Sequence, residues 1–298
     1  MKKLNTRDAI KEGIRQGKYP ERLYKYRTLE SAIRSLKGPS FYASSILDFN
    51  DPYEGHFVLD PINTQQEWED FLHREDPKMS QTEITAHAHQ LATNPIEERN
   101  LIEPIIHKEL QDTGVYCLSK NWDSIPTWAY YSEDHKGIVI EYDPLQDAEL
   151  CDALLPVIYS DNYIKFNYLR HPQGCVESIK QKAKSWSHEE EYRVIKPKKA
   201  NQVIFIKPQS ITSIILGCRF EHGIKNNPKR QALLRELVDI LRDPKYNHLQ
   251  IKQCIQKPDK YELTTKMITL PMLEALLPSK KCIFGNILTN IKKMLHLK

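Results

Sequence analysis

Leu23-Tyr24-Lys25-Tyr26-Arg27-Thr28, the run Leu29 to Leu36, and Ser40-Phe41-Tyr42-Ala43-Ser44-Ser45 frame the rest of the chain. In the first run apolar and basic residues alternate, the period of a strand whose side chains point to opposite faces in turn. Tyr24 and Tyr26 then share one face, and Lys25 and Arg27 the other. Thr28 suits an N-cap, because its hydroxyl accepts a bond from an otherwise unpaired N–H of the first helical turn. The helix it starts runs from Leu29 to Leu36 and stops at Lys37-Gly38-Pro39, where glycine and proline break the pattern. A second strand follows at once. Strand, short helix and strand make a compact unit whose strands line one cleft.

Outward from this unit, a polar helix is expected over Asp8 to Gln16 and helical, polar sequence from Thr64 to Leu110. Strands are expected at Gly114–Ser119, Ile138–Tyr142, Leu155–Tyr159, Tyr192–Lys196, Val203–Ile206 and Ile211–Gly217, with a helix over Ser178 to Lys184. Most strands are short and hairpin-like, and strict strand–helix alternation is scarce. That pattern predicts an α+β fold, with a mixed, largely antiparallel split sheet and flanking helices. Beyond Gly217 the composition changes. Asn227 to Leu241 is strongly amphipathic and helical character continues, so a domain over 1–220 and a helical C-terminal extension over 221–298 are expected. The last helix, Cys282 to Lys298, places Ile283, Ile287, Ile291 and Leu295 on one stripe beside Lys292, Lys293 and Lys298. Such a stripe packs on the domain or contacts a partner or membrane surface.

Composition narrows the class. At 298 residues, 40% hydrophobic and 28% charged, the chain has ample core and reads as soluble and globular. A net charge of +4 permits an anionic ligand without demanding nucleic acid. The six cysteines are scattered, with no C-x-x-C pair, as expected of reduced thiols in the cytoplasm. The N-terminus lacks the apolar core of a signal peptide, and no apolar run approaches the ~18–20 residues that span a bilayer. Neither G-x-G-x-x-G after a strand, nor G-x-x-x-x-G-K-[ST], nor H-E-x-x-H, nor G-x-S-x-G occurs. Rossmann dehydrogenases, P-loop NTPases, zincins and α/β-hydrolases therefore lose support.

Three stretches carry chemistry. In Ser185-Trp186-Ser187-His188-Glu189-Glu190-Glu191-Tyr192-Arg193-Val194-Ile195, an extended chain puts Glu189, Glu191 and Arg193 on one face and Glu190 on the other. Two like charges side by side repel, so either Arg193, Lys182, Lys184 and Lys196 neutralise an exposed edge or the carboxylate pair has a use. Asp48-Phe49-Asn50-Asp51-Pro52-Tyr53-Glu54-Gly55 is dense in turn formers and reads as a capped loop or a rigid polar rim. Trp128, Tyr130 and Tyr131 supply either core or a flat wall for a base or nicotinamide ring. His73, His87, His89 and His107 have no acidic companions at metal spacing and read as surface or core residues.

Four blocks, in order, resemble the bacterial family known as domain of unknown function 2971. They are Leu23–Arg27, Phe49-Asn50-Asp51-Pro52-Tyr53-Glu54, Trp128-Ala129-Tyr130-Tyr131 through His135-Lys136-Gly137, and Trp186 with Glu189, Glu191, Tyr192 and Arg193. They cover roughly residues 23 to 217. The layout also resembles the ADP-ribosyltransferase superfamily, which implies an enzyme that uses NAD to modify a protein or nucleic acid, as toxins and anti-phage defence effectors do. By that resemblance Glu189 and Glu191 are the catalytic acidic pair. Lys25 or Arg27 stands for the first-strand residue on NAD, Ser44 and Ser45 for the second-strand hydroxyls, and Tyr26 or Tyr130 stacks on nicotinamide. Asn50, Asp51, Trp128, Tyr131, His135 and Arg193 complete the implied binding site. The first strand offers Lys-Tyr-Arg where many such transferases have a single His or Arg, and Ala43-Ser44-Ser45 only approximates their Ser-Thr-Ser. Two other classes stay open: a nucleotide-sensing or partner-binding module without turnover, and a nuclease using Asp51, Glu54, Glu189 and Glu191 as metal ligands.

Overall fold

The computed structural model describes residues 6–278 apart from 61, 62, 223 and 225. In chain order the elements begin with α1 (Thr6–Arg15), β1 (Leu23–Arg27), α2 (Leu29–Lys37), β2 (Ser40–Ser45), β3 (Phe57–Leu59), α3 (Gln65–Glu75), α4 (Gln81–Thr93), α5 (Pro95–Asp112) and β4 (Gly114–Ser119). Then follow α6 (Ile125–Tyr131), β5 (Ile138–Tyr142), α7 (Ala148–Cys151), β6 (Leu154–Pro156), β7 (Ile158–Ser160), β8 (Ile164–Phe166), α8 (Gly174–Lys180), β9 (Gln181–Ala183) and β10 (Glu191–Lys196). The last are β11 (Gln202–Phe205), β12 (Ile211–Leu216), α9 (Pro228–Leu241), β13 (Gln250–Gln256), β14 (Leu263–Met267) and α10 (Leu270–Glu274). The fold is α+β, with mixed but mostly antiparallel strand pairing and flanking helices. Among the described residues no helix is long and apolar enough to cross a membrane.

The chain divides into two units, each assembled from separated segments. The first comprises 1–41, 118–151 and 205–298, and the second 42–117 and 152–204. Residues on both sides of position 220 belong to the first unit. The stretch expected to be a wholly helical extension also supplies β13 and β14: Ile251, Cys254 and Ile255 fall at helical spacing, and the pairing of β13 with β12 on one side and β14 on the other overrides that local pattern. The amphipathic segment Cys282 to Lys298 lies outside the described residues.

In the first unit β1 pairs antiparallel with β5, β5 with β12 and β13 with β14, while β12 and β13 run parallel. Every residue of β5 is buried, as its unbroken Ile-Val-Ile-Glu-Tyr run requires of a central strand. Thr28 caps α2 as expected, its hydroxyl accepting from the Ser31 N–H. The core here is aromatic: Tyr26 and Trp128 meet edge to face at 5.4 Å, packed with Val139, Ile215, Cys254 and Leu263.

In the second unit three helices gather a separate core. Trp68 and Phe71 of α3, Ala88 of α4, and Ile102, Ile106 and Leu110 of α5 pack with Ile46, Val115, Ile179 and Ile195. Thr64 with Glu67 and Ser80 with Glu83 form complete capping boxes that start α3 and α4. Ser44 and Ser45 of β2 pair with Val115 and Gly114 of β4, and β10 pairs antiparallel with β6. On the buried strand β10, between these elements, sits a charged residue with no solvent exposure, Arg193.

Candidate functional site: a buried ionic cluster

The cluster is built by three local structures. Asp51 closes an Asx turn, its carboxylate accepting from the Tyr53 N–H at 3.0 Å, and Gly55 takes a left-handed φ of 71° that few other residues adopt. This turn delivers Glu54 inward. Residues Lys184–Glu189 form a 3-10 turn that ends on Glu190 in the left-handed region at φ 42°. That residue swings the chain into β10, so Glu189 and Glu191 converge although only Glu191 belongs to the strand. Within β10 the two-residue alternation puts Glu191 and Arg193 on the same face.

Arg193 donates from Nε to Glu191 at 2.8 Å, and its Nη2 lies 2.9 and 2.8 Å from the two carboxylate oxygens of Glu54. Its Nη1 donates to the Ile179 carbonyl, and the guanidinium carbon sits 5.5 Å over the Phe49 ring. Lys182 donates to Glu189 at 2.6 Å and Glu191 at 3.0 Å, with Glu54 at 3.2 Å. The indole of Trp186 covers the same ammonium at 5.1 Å. Three carboxylates thus face two cations. The hydroxyl of Tyr159 accepts from the Glu191 N–H at 2.8 Å.

Burial and charge work against each other throughout. Desolvation acts to raise the Glu191 carboxyl, but the charges of Arg193 and Lys182, with the Arg193 hydrogen bond, hold it well below the usual carboxylate range. Burial pushes Glu54 up, and the same two cations offset only part of that rise. Lys182 and Arg193 are driven above their usual values, because the carboxylates outweigh the desolvation that favours their neutral forms. Lys182 is therefore a fixed ammonium rather than a base or a Schiff-base amine. Burial also raises Tyr159, keeping its hydroxyl protonated.

Glu189, Glu191 and Arg193 are brought together, as the sequence suggests. The neutralised-edge alternative has the partners right and the place wrong: Arg193 and Lys182 do compensate the carboxylates, but in the interior. Lys184 pairs instead with Asp161 on the surface. Glu54 and Lys182 are full members that the candidate transferase site omits, although Glu54 figures in the nuclease reading. The signal for Glu54 is its place in the turn-dense Asp48–Gly55 stretch, two residues after Pro52.

The remaining candidates are placed differently. Asp51 is occupied in its turn, and Asn50 is exposed beside it. Ser45 caps the short turn after β2, accepting from the Leu47 N–H, while its own N–H donates to Asn201. Lys25, Tyr26 and Arg27 lie on β1 of the first unit. Tyr26 does not offer its ring for stacking: it is buried against Trp128, and its hydroxyl donates to the Asn121 carbonyl and accepts from the Ser124 N–H. Of the two readings of the aromatic cluster, core and flat wall, the wall does not form, because Ile125–Tyr131 is a helix that sends its rings in different directions. Trp128 is buried and donates to the Trp122 carbonyl, Tyr130 is exposed, and Tyr130 and Tyr131 stand edge to face. His135 lies parallel to Trp128 at 6.0 Å.

Among the described residues no three His, Cys, Asp or Glu side chains are grouped so as to hold a metal ion. Of the carboxylates read as nuclease ligands, Glu54, Glu189 and Glu191 instead take Lys182 and Arg193, and Asp51 accepts from the Tyr53 N–H. No protein-family model matches the chain, and no curated protein or solved structure matches it either. The family resemblance accordingly rests on the four sequence blocks.

Proposed function

We propose that the protein is an ADP-ribosyltransferase-like enzyme that uses NAD, with Glu189 and Glu191 as its acidic pair. The supporting observation is the convergence of both carboxylates on one positive charge, the Lys182 ammonium, at 2.6 and 3.0 Å. Positive charge develops on the ribose as the bond from C1′ to the nicotinamide nitrogen breaks. The electron pair leaves with nicotinamide, and a target nucleophile then bonds C1′ and loses its proton. Two fixed carboxylates stabilise such an oxocarbenium-like state, and one accepts from the 2′-hydroxyl. On this reading the target is a protein or nucleic acid, as for a toxin or defence effector. The test is purified protein with labelled NAD and cell lysate. Nicotinamide release and label transfer are expected, abolished by Glu189→Gln and by Glu191→Gln and retained by Glu190→Gln. Circular dichroism confirms that each variant is folded. No nicotinamide release from the folded wild-type protein overturns the proposal, whether or not NAD binds.

A second reading is favoured by one observation: each of the three carboxylates already has a cation within 3.2 Å. A site so compensated suits a nucleotide-binding module without turnover. Calorimetric binding of NAD with no nicotinamide released separates it from the enzyme.

A further inference from the structure

The first unit holds a cavity of about 540 Å³ between the loop carrying His135, the side chain of Arg219 and the hairpin that joins β13 to β14. This size falls within the ~300–1,000 Å³ usual for small-molecule sites. Its floor is held in a costly conformation. Glu133, Asp134 and His135 are three successive non-glycine residues in the left-handed region, at φ 48°, 54° and 69°. The surroundings enforce it: the Ser132 carbonyl accepts from the Lys136 and Gly137 N–H groups at 3.0 and 2.8 Å, and the His135 carbonyl accepts from the Arg219 N–H at 3.0 Å. A Cβ at Gly217 would lie 2.0 Å from that same His135 carbonyl, so the close approach requires glycine there. The imidazole is fixed flat on Trp128. Strain maintained in this way collects at ligand sites.

The cavity walls supply the chemistry. Lys257 is paired with Glu262. Among the described residues neither Arg219 nor Lys260 has a carboxylate partner, and Asp259 has no cation partner, so these three leave one net positive charge. At the hairpin tip Tyr261, which lines the same cavity as Arg219 and Lys260, is 99% exposed, an aromatic ring standing open.

We propose that this cavity binds a nucleoside 5′-monophosphate. Arg219 and Lys260 take the phosphate, the guanidinium by its planar fork and the ammonium as a point charge. Tyr261 stacks on the base. Asp259 accepts from a sugar hydroxyl, a contact that gives the nucleotide one anchor more than inorganic phosphate, which has no sugar. His135 lies at the floor with its ring pre-positioned. No residue of the acidic cluster in the second unit takes part, so the inference stands apart from the transferase reading.

The test is calorimetric titration of the full chain with AMP, GMP, CMP and UMP, with inorganic phosphate and adenosine as partial probes. At least one nucleotide binds more tightly than either partial probe. Arg219→Ala and Lys260→Ala each weaken it by about tenfold or more, the effect of losing one charge-assisted contact. Tyr261→Ala weakens a purine nucleotide. These side chains lie at the surface of the cavity, and circular dichroism checks that the variants fold. Three results overturn the inference: no binding of any of the four nucleotides at millimolar concentration, phosphate binding as tightly as the nucleotides, or affinity unchanged in all three variants. A protein that releases no nicotinamide yet binds a nucleotide through Arg219 keeps this inference and loses the transferase reading; the reverse results do the opposite.

Discussion

Two arginine–glutamate pairs in the second unit have similar distances and opposite surroundings. Arg193 meets Glu54 at 2.8 Å with side chains 0% and 1% exposed, while Arg170 meets Glu67 at 2.6 Å with side chains 43% and 30% exposed. Each arginine reaches both oxygens of its carboxylate. Distance therefore does not distinguish them. Water does: at the surface it solvates either partner after the other is lost, and in the interior nothing replaces the missing charge. The buried cluster is thus a set of groups that need one another, and the surface pair is a trim on the start of α3.

The harshest way to break this contrast is Arg193→Met. It leaves Glu54 and Glu191 facing Lys182 alone, and removing one partner of a buried ionic set costs about 3–5 kcal/mol. Urea denaturation should show that loss, and a cost below about 1 kcal/mol would mean that water reaches the cluster. Adding Glu54→Gln and Glu191→Gln should recover part of the stability, because neutral amides no longer lack a counter-charge.

Lys182→Met sharpens the comparison from the cluster's outer side, where the lysine touches all three carboxylates under the Trp186 ring. Its side chain is 7% exposed, so some solvent compensation is available and a smaller cost, about 2–3 kcal/mol, is expected. Adding Glu189→Gln should restore part of it. Strict additivity of the two changes in a denaturation cycle would show that the 2.6 Å pair carries no coupling.

These contrasts also show what the sequence made legible. β1, β2, β4 and β5 appear at the residues where alternation and capping place them, because local patterning suffices for a short strand between turn formers. Glu191 and Arg193 could be set on one face for the same reason. Glu54 joins them in the sequence only through the nuclease reading, as a metal ligand and not as the partner of Arg193, since 139 residues separate the two and no local period spans that gap. Alternation predicts Glu189 beside Glu191, but Glu189 lies in the 3-10 turn before the strand, and the left-handed turn at Glu190 brings it there instead. Trp128 takes the core alternative, a choice the sequence leaves open because an aromatic cluster looks the same whether its rings turn inward or outward. β13 and β14 were hidden by the helical sequence around them.

The smallest effect is expected at the surface pair, and pH gives it a signature. Glu67 is held down to about 2, first by the Arg170 hydrogen bond and then by the Thr64 N–H of its capping box. A carboxyl whose folded value lies below its unfolded value of ~4.3 stabilises the fold above that unfolded value, and the contribution fades as pH falls toward the folded one. Glu67→Ala should therefore cost about 1 kcal/mol at pH 7, chiefly through the lost cap. In urea denaturation at a series of pH values, the gap between wild type and variant should narrow from about pH 5 to pH 2. Added salt at pH 7 should narrow it as well, since an exposed pair is screened. Glu191 is depressed in the same direction but buried, so its contribution is lost at lower pH and resists salt. A Glu67 effect that ignored both pH and salt would show that the carboxylate acts there only as a helix-forming side chain, and the surface half of the comparison would fall.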